Sequence, residues 1–322
     1  MDLYNKRLLQ AITYDYPDEI PVLCAVMPAV WMKYGSELAA LAKEYPDFIS
    51  TIPDLDNLDS IKPDTYRYGT HIDEWGCVWS NVEDGLESIV TGHPLPTRES
   101  VRNLKIPENR DGRLPHGFMY LRLLDLRGFE EIMIDFAEEC EELQILIDKV
   151  TEYNCRQVEV ILPNYGKGDI VRFGDDLGMQ NGLAIGAEKW RKYLKPAFTK
   201  IYSPAKAKGC YVFMHTDGYI LDIIDDIMDC GVDMLNPQSG GNGIENLARI
   251  CKRRIPIDLD VDRQLLPVAT ASQIEEHIRE SVETLYLPEG GLALTVGIYP
   301  DVPLNNMAAL FDALRKYRTY KH

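Results

Sequence analysis

Cys210-Tyr-Val-Phe-Met-His-Thr-Asp-Gly218 joins an apolar run to a polar tetrapeptide, and an apolar helical pattern, Ile220, Ile223, Ile224 and Ile227, follows it. The spacing predicts a strand that stops at His215 and a helix that starts just beyond Gly218. His215 and Asp217 are two residues apart, so on an extended chain both side chains point the same way. An imidazole and a carboxylate side by side at a strand end can grip a metal ion or act as an acid–base pair. They can equally be a core histidine and the acid that caps the next helix. The two residues alone leave both readings open.

Working outward, the same unit recurs. Ile170-Val-Arg-Phe173 reads as a strand and runs into Gly174-Asp-Asp-Leu-Gly-Met-Gln180. A helix is expected around 187–208, with Trp190, Leu194, Ala197, Phe198 and Ile201 inward and Gly209 as its stop. Met234-Leu-Asn-Pro237, Ile255 to Asp260 and Gly291 to Val296 read as further strands. Helices are expected near 244–253, over 271–286 and from Leu304 to Leu314. Strand, polar loop, helix and glycine in repetition predict a parallel sheet.

The first half is less regular. Residues 3–12 and 36–46 read as helices, with strands at Ile20–Val26 and Phe48–Ile52. Phe129, Ile132, Met133, Phe136, Cys140, Leu143, Ile147 and Val150 share one face and predict a single helix. Residues 56–115 hold His71-Ile-Asp-Glu-Trp-Gly-Cys-Val-Trp79 and a Gly/Pro/Asn/Asp-rich stretch, read as an inserted hairpin with long loops. Counting strands gives about eight. The expected fold is a (β/α)8 TIM barrel as one domain over 1–322, and no Gly-x-Gly-x-x-Gly follows a strand as a doubly wound nucleotide-binding sheet would require.

Composition narrows the function. The chain has 322 residues, a hydrophobic content of 45% and a formal net charge of −17 without a basic cluster, which argues against a nucleic-acid surface. The longest apolar run, near Ile20 to Met32, carries Pro21 and Pro28 and is too short to span a membrane. Seven cysteines, an odd number with no Cys-x-x-Cys, point to a reducing cytoplasm and exclude a cysteine zinc knuckle.

In a barrel, the expected strand ends would gather Asp175, Asp176 and Gln180, His215 and Asp217, Asn236, Asp258, Asp260 and Asp262, and Tyr299 and Asp301. Many carboxylates in one mouth repel one another, and a cation or protonation must offset that.

These residues carry a resemblance. Asp73-Glu-Trp-Gly76, Leu124-Asp-Leu-Arg-Gly-Phe129, Gly174-Asp-Asp-Leu-Gly-Met-Gln180, His215-Thr-Asp-Gly218, Gly231-Val-Asp-Met-Leu-Asn-Pro237, Asp262-Arg-Gln264 and Gly297-Ile-Tyr-Pro-Asp-Val-Pro303 resemble, in order and spacing, the uroporphyrinogen decarboxylase (URO-D) superfamily, and within it the corrinoid-linked methyltransferases. The resemblance implies a URO-D-like (β/α)8 barrel with its site at the strand C-termini. Decarboxylases of the family carry an arginine-rich motif after the first strand, which binds substrate carboxylates. Here no arginine occurs between Arg7 and Arg67. Thiol-methylating relatives hold zinc through His-x-Cys and a second Cys, positions occupied here by Asp217 and Val296. Carboxylate in place of thiolate makes a harder site, suited to polarising an oxygen.

The resemblance therefore implies O-demethylation: transfer of a methyl group from a methoxylated small molecule, an aryl methyl ether, to the Co(I) of a corrinoid on a separate protein. The implied cofactor is zinc, held by His215 and Asp217 with a third ligand unidentified. Asp176, Gln180, His215 and Asp217 are the implied catalytic residues. Trp31, Trp75, Asp260 and Tyr299 are the implied substrate-binding residues, with Trp79 as a further pocket wall. Two other readings stand beside it: a metal-free tetrapyrrole decarboxylase of the lyase class, and a non-catalytic binding barrel.

Overall fold

The computed structural model describes residues 2–320. Nine strands occur in them: β1 (Val22–Val26), β2 (Gly69–Ile72), β3 (Val78–Asn81), β4 (Ile89–Gly92), β5 (Ile170–Gly174), β6 (Tyr211–Thr216), β7 (Met234–Pro237), β8 (Ile257–Asp260) and β9 (Leu292–Ile298). Six of these, β1 and β5 to β9, run parallel, and each leads into a helix. The chain divides into two compact units, one of Met1–Thr70, Ser80–Ile89 and Gln238–His322, the other of His71–Trp79 and Val90–Pro237.

In the first unit β9 lies between β1 and β8, with Cys24 opposite Val296 and Leu259 opposite Leu294. Leu292, Ala293, Leu294, Val296 and Ile298 are all buried, the signature of a strand covered on both faces. The helices Ala271–Leu285 and Leu304–Tyr317 pack on each other, and a capping box between Thr270 and Gln273 starts the former.

The strand expected at Phe48–Ile52 does not form. Phe48 and Ile49 donate their backbone N–H groups to Tyr45 O, and Phe48 stacks on Phe311 at 5.5 Å. The backbone is spent closing the helix Pro28–Glu44, so it has no donors left for a ladder.

In the second unit β6 lies between β5 and β7, and Gly174, His215 and Asn236 stand in one row across the three strand ends. The single helix expected over 129–150 is two, Phe129–Glu138 and Glu141–Ile161. Glu139 breaks it by adopting the left-handed φ of 54°, and its carboxylate pairs with Lys192 and accepts from Tyr193 Oη at 3.1 Å. Four aromatic rings, Phe118, Phe173, Phe198 and Tyr202, fill the space beneath β5, with Phe173 and Tyr202 centred 4.7 Å apart.

The insertion expected over 56–115 contains β2, β3 and β4, which form a small sheet of their own. The Asp73-Glu-Trp-Gly76 stretch is a tight turn. Asp73 Oδ1 accepts from the N–H groups of Trp75 and Cys77, at 3.0 and 2.9 Å. Its Oδ2 accepts from Trp79 Nε1 at 3.0 Å and from the buried Arg122 at 2.6 Å. Among the described residues no helix is long and apolar enough to cross a membrane.

Candidate functional site

The row Gly174–His215–Asn236 sets the site. His215 Nδ1 lies 2.7 Å from Asn236 Oδ1, so Nδ1 carries the proton and donates it. That leaves Nε2 as the ring's lone-pair atom whenever the ring is neutral. Nε2 is 3.3 Å from Asp217 Oδ1 and 4.0 Å from Asp176 Oδ1. A second imidazole closes in from the loop before the helix Tyr120–Arg127: His116 Nε2 is 3.0 Å from Asp176 Oδ1, and the two histidine rings are 5.3 Å apart. His116, Asp176 and His215 each offer a ligand atom, all within 4.8 Å of one another.

Local structure explains why the loops stay in place. Asp175 is fully buried and accepts from three successive backbone N–H groups, Met119, Tyr120 and Leu121, at 2.9, 2.5 and 3.0 Å. It caps the helix that His116 precedes. Gly117 N–H donates to Gly174 O at 2.8 Å, and Asn154 Nδ2 donates to Phe118 O at 2.8 Å. Gly174 leaves the room His116 needs, since a Cβ there would lie 2.7 Å from His116 Nδ1. Across the site, the Asp217 N–H donates to Asp176 Oδ1 at 3.0 Å.

Charge and burial oppose each other here. Burial works against the charged form of Asp176, but the hydrogen bond and charge of His116 outweigh it and hold the carboxyl below its usual value. Burial likewise disfavours a charged His116, and Asp176 overcomes it, raising the imidazole. For His215, Asp217, Asp176 and Asn236 together outweigh burial and raise it to about 9. Asp175, with burial dominant, is pushed up.

Two imidazoles and a carboxylate around one point suit a divalent ion of zinc's class, which takes His nitrogen and Asp oxygen at about 2.0–2.2 Å and in catalytic sites keeps one position open. Donor atoms on such an ion sit roughly 3.3–3.5 Å apart, inside the spread found here. Asn236 supplies the outer oxygen that metal-ligating histidines usually have behind them.

Of the residues expected at the site, Asp176, His215 and Asp217 come together. Gln180 is exposed on the loop beyond Asp176. Trp75 is 5% exposed and packs edge-on to Tyr153 at 4.9 Å. In the first unit, Trp31 and Asp260 are buried at 4% and 5% exposure. Tyr299 accepts from Arg263 at 3.2 Å and lines a cavity of about 620 Å³ with Lys33, Glu83, Gln264 and Asp301. Val296 is fully buried beside Cys24, with no donor atom to offer a metal. The expectation missed His116. Its signal was slight: a histidine between Pro115 and Gly117, at the point where the irregular insertion ends.

The profile of the family described as "Uroporphyrinogen decarboxylase (URO-D)" matches residues 124–317. No curated protein matches. Among the solved structures that match is a methyltransferase from Methanosarcina mazei, similar at 18% identity with a TM-score of 0.66 over 98% of each chain. At that identity the likeness speaks for the fold.

Proposed function

The chain belongs to the uroporphyrinogen decarboxylase family, and from that premise we propose that it is a metal-assisted methyltransferase, moving a methyl group from a methoxylated small molecule to the Co(I) of a corrinoid on a separate protein. The observation that carries this reading is the convergence of His116, Asp176 and His215. The six parallel strands are taken as part of a (β/α)8 barrel. Each unit is assembled from stretches that alternate along the chain, so 1–322 is taken as one working domain. The seven free thiols support a cytoplasmic setting.

A zinc ion held by His116, Asp176 and His215 would supply Lewis acidity to the ether oxygen that leaves as alkoxide or phenoxide. The protein's own part is orientation and charge. Asn236 fixes the His215 ring so that Nε2 faces His116 and Asp176. Asp217, 3.3 Å from that nitrogen, holds the His215 proton until the ring is needed neutral. Asp176 and Gln180 orient the donor, and Trp31, Trp75, Asp260 and Tyr299 stay in the proposal as substrate-binding residues through the resemblance. The methyl carbon bonds to cobalt as its bond to oxygen breaks, so no covalent protein intermediate is required.

The test is methyl transfer from a panel of methoxylated aromatics to a cob(I)alamin acceptor, followed by the cobalt absorbance, together with elemental analysis of the purified protein. Wild type should contain about one zinc and turn over, and His116→Ala and His215→Ala should lose both. Both variants folding normally with full methyl-transfer rate would overturn the proposal.

A further inference from the structure

Arg172 sits where an interior strand residue would ordinarily be apolar. Its neighbours on β5, Val171 and Phe173, are buried at 1% and 4% exposure, yet Arg172 itself is exposed. On a strand residues two apart share a face, so Arg172 points to the same side as Gly174. Gly174 is in register with His215, and Arg172 with Phe213. The guanidinium lies over the Phe213 ring at 4.6 Å from its centre. Arg172 is therefore on the face that carries His116 and His215, one strand repeat deeper, and it opens onto accessible space.

We propose that Arg172 anchors an acid group of the substrate, so that the methyl donor is an organic acid whose carboxylate lies about 7 Å, two strand residues, from the oxygen that leaves. This rests on the methyl-transfer reading for the identity of the second end of the ligand. The chemistry favours an arginine in this role. Its planar fork binds a carboxylate through two parallel hydrogen bonds, and stacking on Phe213 holds that plane in place. With a formal net charge of −17 the chain repels anions at long range, so an acidic ligand needs a fixed local cation. Five N–H donors leave the fork capacity for a ligand beside any protein partner. A spacer of about 7 Å is the length of a para-substituted benzene ring with its two substituents.

Calorimetric titration of wild type, Arg172→Gln and Arg172→Lys with 4-methoxybenzoate and its neutral counterpart 4-methoxybenzamide tests this. Wild type should bind the acid at least tenfold more tightly than the amide. Arg172→Gln should lose that preference while binding the amide unchanged, and Arg172→Lys should keep part of it. Equal binding of acid and amide by wild type, no binding of the acid, or an undiminished preference in both variants overturns the proposal. Binding through Arg172 without methyl release would leave the acid anchor standing and remove the methyl-transfer reading.

Discussion

Gly178 and Gly218 meet backbone to backbone. A Cβ on Gly218, whose φ is 78°, would fall 2.2 Å from the Gly178 carbonyl oxygen, and one on Gly178 would fall 2.4 Å from the N and O of Tyr219. The loops are stitched around this contact: Gly178 N–H donates to Asp217 O at 3.2 Å, Tyr219 N–H to Met179 O at 2.8 Å, and Leu177 N–H to Thr216 Oγ1 at 3.0 Å. Asp176 and Asp217 lie on either side of it, so the spacing between the two acids is set by absent side chains.

Gly218→Ala should therefore damage the site through its frame. The left-handed φ alone costs on the order of 1–3 kcal/mol, and the clash adds to it. A lowered thermal midpoint and weaker zinc binding should appear together, because relieving the clash pushes Asp176 away from His215.

The ligand set predicts an order of zinc affinities. Asn236→Ala removes the partner behind His215 and should weaken zinc by about 10–100-fold, as outer partners do. His116→Ala removes a ligand and should cost more than that. Competition against a chromophoric chelator measures both. A His116→Ala affinity equal to wild type would remove His116 from the metal site.

Protons and zinc compete for His215. With Asp217, Asp176 and Asn236 outweighing burial, its pKa is about 9, so at neutral pH the ring must shed a proton to bind metal. Apparent zinc affinity should rise by up to tenfold per pH unit for each proton displaced, levelling near pH 9. The metal-free protein should behave oppositely. A histidine raised in the folded state stabilises fully below its unfolded value of about 6.5 and loses that contribution as pH climbs to about 9. Thermal melts with chelator and zinc titrations over this range check both signs.

Asp73 should prove structural. Asp73→Ala would leave Arg122, 6% exposed, without its 2.6 Å partner. Breaking a buried pair from one side typically costs about 3–5 kcal/mol. Denaturant unfolding should show a loss of that order, with zinc affinity unchanged.

Asp175 and Asp176 show where reading the sequence stops. They are adjacent and chemically identical, and neighbours on an extended chain point opposite ways. One turns down to clamp three backbone N–H groups, and the other turns up to His116. Either could have been the cap. Phe48–Ile52 failed for a related reason: its composition suits a strand, but the turn after Tyr45 took its donors first.

Local periodicity was enough to determine the parallel β/α alternation, the strand ending at His215, and the shared side of His215 and Asp217. Those depend on spacings of two and 3.6 residues, which are written in the chain itself. The third member of the cluster was decided only in three dimensions. His116 belongs to a loop without periodicity, and it reaches Asp176 because a buried carboxylate ties down the next turn and Gly174 leaves it room. Contacts of that kind join residues far apart in sequence, and no local pattern records them.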